Sequence, residues 1–592
     1  MVAQFVRAIN PALGMPFFWL FWRLLPTPSA WLTAVVLLCC GCGLGSSSIR
    51  RCGLWEAQAS KSATHLLDES SRQAAVGLVH SDDQRCVDDF FVATRFGWQA
   101  ALAASEEQIP LELRERASVQ YHANLRRLLY SAQKFGRLDP RSGLQLGQGD
   151  DKAVVPIVHC GFPWRADDFQ RISPPPQDLP ELLRCRYTLP GCGVPLVVQR
   201  CRNPQDPAEI RFFAPQSFFA ATAILRFSAE VNGQSLTDSR GSPVLEFHNP
   251  LRLAKVSLPE GSLPLAGDLT APLATTLQTS PRTYLSGFVQ PGSQDDPSKL
   301  GFLEPYQKGK PPVVLIHGLF SDPQSWADLV NDLRAIPGFC DRFQIWYFRY
   351  PTGQGFLRSA ADLRQDLQAA IQTFDPERTD PALREMVLVG HSMGGLIAKL
   401  QVTHSDDTIW RRLANRPFDE IQADEETRTR LAMACFFQPA PHVRRVIFIA
   451  TPHGGSNEAS GFVGNVATLL VREPPQEAQA HQRLLEQNPG VFADVVQRRL
   501  PTSIDLLKPQ SPLLDALREM RIGKGVELHT IIGVTFHPSL HGPSDGVVPV
   551  ASAKHPGSLS ETWIQSPHSK VHRAAGSTKE VARILAEHCF NE

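Results

Sequence analysis

Residues 386–398 read Met386-Val387-Leu388-Val389-Gly390-His391-Ser392-Met393-Gly394-Gly395-Leu396-Ile397-Ala398. An apolar run, a G-x-S-x-G turn and a small-residue helix start are what a serine needs to become a nucleophile. A sharp strand-to-helix turn holds the serine in a strained conformation and lifts its hydroxyl toward a general base, with its oxygen near a helix N-terminus. About 0.2 copies of the bare pattern are expected by chance in a chain of this length, so its place between strand and helix carries the weight. Upstream, Val313-Val314-Leu315-Ile316 runs into His317-Gly318-Leu319-Phe320. Gly318 in that position lets the amides that follow face a developing oxyanion, and the Met393 amide supplies a further donor. The chemistry these residues suit is attack by a serine oxygen on a carbonyl.

Such a turn needs a sheet to hold it. After a stretch rich in Gly, Ser, Asp, Lys and Pro between Gln290 and Pro312, apolar runs recur at 313–316, 343–348, 386–389, 446–449, 528–533 and 562–565. Runs this short suit strands covered on both faces. Between the second and third, Leu363, Leu367, Ala370, Ile371 and Phe374 mark one face of a helix. The alternation predicts an α/β class: a doubly wound, mostly parallel sheet over 290–592, with cap-like insertions at 403–444 and 457–525. The second insertion carries Phe462, Val463, Val466, Leu469, Leu470 and Val471, which either line an acyl channel or pack on the sheet. Ahead of it, 54–150 reads as a helical region, with helical spacing over 111–130, and 151–289 as a β-rich region of short runs broken by Pro and Gly. Neither holds a catalytic motif.

Three further stretches complete a set: Ala450-Thr451-Pro452-His453-Gly454-Gly455-Ser456, Ser544-Asp545-Gly546-Val547-Val548-Pro549-Val550 and Ser566-Pro567-His568-Ser569. Together with the elbow, flanked by Gly390 and Gly394, and the Gly318 loop, they resemble the α/β-hydrolase fold in its lipase and esterase branch, most like bacterial exported serine hydrolases. The resemblance covers about half of the chain. It implies a carboxylic ester hydrolase whose triad, in the family order of nucleophile, acid and base, is Ser392, Asp545 and His568. His568 would take the Ser392 proton, Asp545 would hold the imidazole tautomer, and the Leu319, Phe320 and Met393 amides would form the oxyanion hole. Water would then release the acyl group. His572 competes with His568 as base, and Asp505 and Asp515 compete with Asp545 as acid. His453 reads as a loop-packing or rim residue. His537 and His541 are spaced like a zinc pair, but Pro538 opposes the helix that would aim both at one ion. No cofactor or metal is implied. An acyltransferase with the same triad, or an anchored non-catalytic binding protein on this fold, stays open.

Composition bounds the partners. Lys plus Arg (59) balance Asp plus Glu (59) in 592 residues, which leaves no basic footprint for nucleic acid. The length favours two or three folded units. From Leu24 to Ile49 no residue is charged, while Arg7 and Arg23 precede the apolar run 31–40 and the first acidic residue is Glu56. Residues 1–45 therefore read as a signal peptide or membrane anchor. Leu38-Cys39-Cys40-Gly41-Cys42 resembles a bacterial lipobox with Cys42 as the lipidated residue, although Cys39 stands where that pattern prefers Leu. An uncleaved single-span anchor, a simple cleaved signal and a misassigned start are the other possibilities, and the three leading readings export the protein. The expected product is an exported, membrane-anchored enzyme of the cell envelope acting on an ester or lipid-like small molecule. Nine cysteines follow Cys42, an odd and scattered number that is no disulfide framework.

Overall fold

Seven strands form the sheet that carries the serine turn: β8 (Lys299–Phe302), β9 (Pro312–Ile316), β10 (Gln344–Arg349), β11 (Met386–His391), β12 (Val443–Ile449), β13 (Glu527–Val534) and β14 (Ser558–Gln565). Their spatial order is β8-β10-β9-β11-β12-β13-β14. All neighbours are parallel except β8, which runs antiparallel to β10. This is a computed structural model, and it describes residues 62–104, 110–149, 152–227, 243–258, 261–280, 299–456, 475–497, 507, 509, 511–535 and 542–590. The lipobox and Cys42, the apolar stretch 462–471, Asp505, His537 and His541 lie outside the described residues. Among the described residues no helix is long and apolar enough to cross a membrane.

The central strands are buried on both faces, as their unbroken apolar runs require. Val313, Leu315, Val387, Val389, Ile447 and Ile449 pack with helices α5 (Ala327–Ala335) and α8 (Ala575–Phe590) through Leu329, Leu333, Val581 and Ile584. Side chains alternate along a strand, so Val314, Leu388 and Val446 point to the opposite face, where α6 (Phe356–Phe374) and α7 (Met393–Lys399) lie. In α6 the residues at helical spacing, Leu363, Leu367, Ala370 and Ile371, are the buried ones.

Two strands depart from the expected pattern. β8 falls inside the stretch that reads as linker. It is only four residues long, and Gly301 has its place because a Cβ there would fall 2.3 Å from the Tyr347 ring. Its anchors are long-range: Leu300 and Phe302 are buried, with Phe302 stacked on Trp346 at 4.2 Å. The last strand, β14, is longer than its apolar run and alternates between half-buried and exposed residues, because it is the sheet edge.

Among the described residues the N-terminal half begins with the helices α1 (Ala63–Val79), α2 (Arg85–Ala103) and α3 (Leu111–Lys134). They precede a second seven-stranded sheet made of β1 (Leu138–Asp139), β2 (Gly143–Leu146), β3 (Ala153–Cys160), β4 (Arg171–Ser173), β5 (Val194–Cys201), β6 (Gln216–Arg226) and β7 (Val244–His248), in the order β1-β2-β3-β7-β6-β5-β4. Tyr121 ties helix to sheet: its buried hydroxyl donates to the Leu225 carbonyl and accepts from the Leu225 amide, both at 2.9 Å. α4 (Ala271–Thr279) closes this half. Gln58–Glu592 form one compact unit, and ion pairs around the buried Asp328 join the two halves. Asp328 of α5, fully buried, accepts from the Arg184 amide at 2.7 Å and from Arg573 Nε at 2.9 Å and Nη2 at 2.8 Å. Asp332, one turn on, pairs with Arg184 and accepts from Tyr187 Oη at 2.9 Å and Thr578 Oγ1 at 3.1 Å.

Candidate active site

Ser392 sits between β11 and α7 with φ 53° and ψ −124°, a left-handed conformation that a side chain rarely adopts. Tight packing holds it there. A Cβ on Gly390 would meet the Gly394 carbonyl oxygen at 2.5 Å, and one on Gly394 would meet the Ile316 carbonyl oxygen at 2.2 Å. Glycines two residues before and after the serine are therefore steric necessities of the turn. The Ser392 amide donates to the Ile449 carbonyl at 2.8 Å, which fixes the turn to the neighbouring strand.

The three residues named from the chain order come together. His568 Nε2 is 3.0 Å from Ser392 Oγ, and His568 Nδ1 is 2.7 Å from Asp545 Oδ2. The other Asp545 oxygen, Oδ1, accepts from the Val547 and Val548 amides at 3.0 and 2.7 Å. A carboxylate so held keeps a fixed face toward the imidazole. The His568 amide donates to the Asp545 carbonyl at 2.9 Å, so acid and base are tied by backbone as well as side chain. Asp545 is buried, while the Ser392 and His568 side chains keep slight exposure.

The oxyanion loop approaches from β9. A Cβ on Gly318 would sit 3.1 Å from Ser392 Cβ, so the loop comes this close only because residue 318 is glycine. His317 orders it. Its Nδ1 lies 3.1 Å from the Gly318 carbonyl and its Nε2 accepts from the Tyr350 amide at 3.4 Å, while Tyr350 Oη donates to the His317 carbonyl at 2.7 Å. Burial pushes His317 down to about 4, so the ring is neutral near pH 7. With the Gly318 carbonyl turned toward that ring, the planar trans peptide points the Leu319 amide the other way. Phe320 has φ 53° in the same turn, and Met393 opens α7 directly after the serine.

The competing residues fall elsewhere. His572 is buried with its ring edge against Trp326, 5.2 Å between centroids, and is not bonded to Asp545. Asp515 is half-buried and paired with Arg518. His453 packs edge-on against Phe448 and His555, and its loop braces the acid turn: the Gly454 amide donates to Ser552 Oγ, and Ser456 Oγ donates to the Val547 carbonyl. Among the described residues no group of three His, Cys, Asp or Glu could hold a metal ion. Sequence reasoning passed over His391, whose ring contacts both His568 and His572. The only signal was its position inside the G-x-S-x-G turn.

Residues 313–551 match the model of the alpha/beta hydrolase family, a span that includes Ser392 and Asp545 and ends before His568. No curated protein matches the chain. Solved structures similar to it include the mature Bacillus licheniformis lipase BlEst2, 18% identical over 49% of this chain and 97% of that one, with TM-score 0.29. Esterase B from Lactobacillus rhamnosis is 13% identical over 49% of this chain and 79% of that one, with TM-score 0.26. Phospholipase PlaB from Legionella pneumophila is 14% identical over 41% of this chain and 45% of that one, with TM-score 0.24. The parallel sheet, the serine at its strand-to-helix turn and the family match over 313–551 together give the C-terminal half of this chain an α/β-hydrolase fold.

Proposed function

We propose that the protein hydrolyses carboxylic esters through an acyl-enzyme on Ser392. The observation that carries this reading is the hydrogen-bonded series Ser392 Oγ, His568, Asp545, with the Gly318 loop against the nucleophile. As Ser392 Oγ attacks the ester carbonyl carbon, its proton passes to His568 Nε2, and the carbonyl oxygen gains the charge that the Leu319, Phe320 and Met393 amides face. Collapse of the tetrahedral intermediate breaks the carbon–alkoxy bond, and His568 returns the proton to the leaving alcohol. A water, deprotonated by His568, then releases the acid and restores the serine. Asp545 stabilises the imidazolium that forms twice in the cycle.

Fluorophosphonate labelling of the purified protein tests this. Wild type is expected to label and Ser392→Ala to lose labelling, with kcat on an aryl ester falling about a million-fold. Equal labelling of both proteins would overturn the assignment. The apolar residues at 462–471 of the sequence suit either an acyl channel or packing on the sheet; if they line a channel for a lipid-like acyl group, a series of esters of increasing chain length will show a maximum beyond short acyl groups. Adding an alcohol acceptor separates hydrolysis from acyl transfer by the products formed. Export and anchoring belong to the same proposal, and rest on the uncharged segment and Cys42. Metabolic labelling with a fatty-acid analogue should be lost in Cys42→Ser; labelling that survives would rule out lipidation there.

A further inference from the structure

His391, the residue inside the elbow motif that the mechanism leaves unused, reaches across the fold to the base. Its Nε2 lies 3.0 Å from the main-chain carbonyl oxygen of His568, a residue 177 positions later in the chain. A carbonyl only accepts, so Nε2 carries the proton. Burial, and then the neighbouring His572 and His568, hold this ring far below the usual histidine range, so it is a neutral Nε2–H tautomer. Nδ1 is then a bare lone pair; it faces the oxyanion loop, where a Cβ on Gly318 would fall 2.9 Å away. The ring is 4.1 Å from that of His572, which in turn rests on Trp326, and 5.1 Å from that of His568. His391 is thus wedged between the base loop, the oxyanion loop and the His572 ring.

The His568 backbone is consequently held on both sides. Its amide donates to the Asp545 carbonyl, and its carbonyl accepts from His391. The acid and the residue preceding the nucleophile each carry one of these bonds, so the three members of the triad are locked by a second set of contacts that do no proton transfer. Displacement of a reacting group by about 1 Å can lower the rate about a hundredfold, and the Ser392 to His568 contact has no other brace on its carbonyl side among the described residues.

The geometry points to His391 as a positioning residue: by donating to the His568 carbonyl it keeps the His568 ring at attack distance from Ser392. This rests on the ester hydrolase reading. Full-length His391→Leu and His391→Gln separate the donor from mere bulk, since only glutamine can offer an N–H to the carbonyl. In His391→Leu, kcat on an aryl ester should fall about tenfold to a hundredfold with KM within about twofold, and His391→Gln should recover most of that loss. The downfield Nδ1 proton of His568 in the 15N-histidine-labelled protein, sharp in wild type and His391→Gln, should broaden in His391→Leu. Wild-type kcat in His391→Leu, or equal losses in both variants that follow a lowered Tm, would overturn the positioning role. A wild-type protein that neither labels with fluorophosphonate nor cleaves esters would overturn the ester hydrolase reading instead. The proton signal would then decide the positioning role alone, and an unchanged signal in His391→Leu would overturn it.

Discussion

At the scale of single residues, Asp545 shows how a hydrogen-bond pattern dictates the outcome of a substitution. Its Oδ1 is committed to the Val547 and Val548 amides, so in Asp545→Asn the amide oxygen must take that place and the NH2 must face His568 Nδ1. Nδ1 would then be the acceptor and Nε2 would carry the proton, which leaves His568 unable to receive the Ser392 proton. The variant should fold normally and lose about 10^4 in kcat; steady-state kinetics beside an unchanged near-UV circular dichroism spectrum checks this. An unaltered kcat would mean that Asp545 is not the acid. The three triad residues were legible because each follows a strand and their order matches the family. His391 was not, since its partner depends on how the loop after β14 packs over a turn 177 residues earlier.

Elements explain why the site holds its shape. The strand-to-helix turn around Ser392 has no room for a Cβ at Gly394, which lies against the Ile316 carbonyl of the adjacent strand. The three nearest atoms are all backbone, from Ile316 and His317, so no flexible side chain can give way and Gly394→Ala must push α7 off the sheet. Overpacking of this kind costs about 1–3 kcal/mol or more. The expected result is a lower midpoint in denaturant unfolding together with loss of fluorophosphonate labelling; wild-type values for both would show that the turn is more tolerant than its geometry. The strands after β8 were recoverable from their apolar runs. β8 was hidden because four residues with two buried side chains look like the linker around them, and only stacking on Trp346 of β10 identifies it.

Across the whole molecule, the two halves share buried charges. Asp328 is fully buried and satisfied by Arg184 from the N-terminal half and Arg573 from the segment just after the base loop. Asp328→Ala removes the carboxylate that Arg184 and Arg573 share; both guanidiniums are partly exposed and keep a second acceptor, Asp332 and the Glu181 carbonyl, so the cost falls below the about 3–5 kcal/mol of breaking a fully buried pair. Gln58–Glu592 should accordingly unfold in one cooperative transition that Asp328→Ala moves to lower denaturant; two separated transitions would show that the halves are independent. Acid should also weaken the fold. Burial lowers His122, His317 and His442 to about 4 and His572 to about 3, against about 6.5 in the unfolded chain. Between those values the unfolded state binds more protons, so stability is intact above pH 6.5 and declines as pH falls toward 4. Asp332 and Asp366, raised by burial, act in the opposite sense but are fewer. Tm measured from pH 7 to pH 4 should fall steadily, and a flat profile would mean that these rings have ready access to protons in the folded state.

The amino-acid sequence alone determined what depends on neighbours along the chain: apolar runs long enough for buried strands, an apolar helix face, glycines on either side of a serine, and an acid and a base each following a strand. Tertiary structure decided what depends on contacts between distant segments. It chose His568 over His572, because only the first reaches Asp545 and Ser392. It paired β8 with β10, set His391 against the His568 carbonyl, and joined the N-terminal half to the C-terminal half through Asp328. Periodicity and motif spacing are local and can be read in one dimension. Which loops meet above a sheet is set by the packing of both halves at once, and no local pattern encodes it.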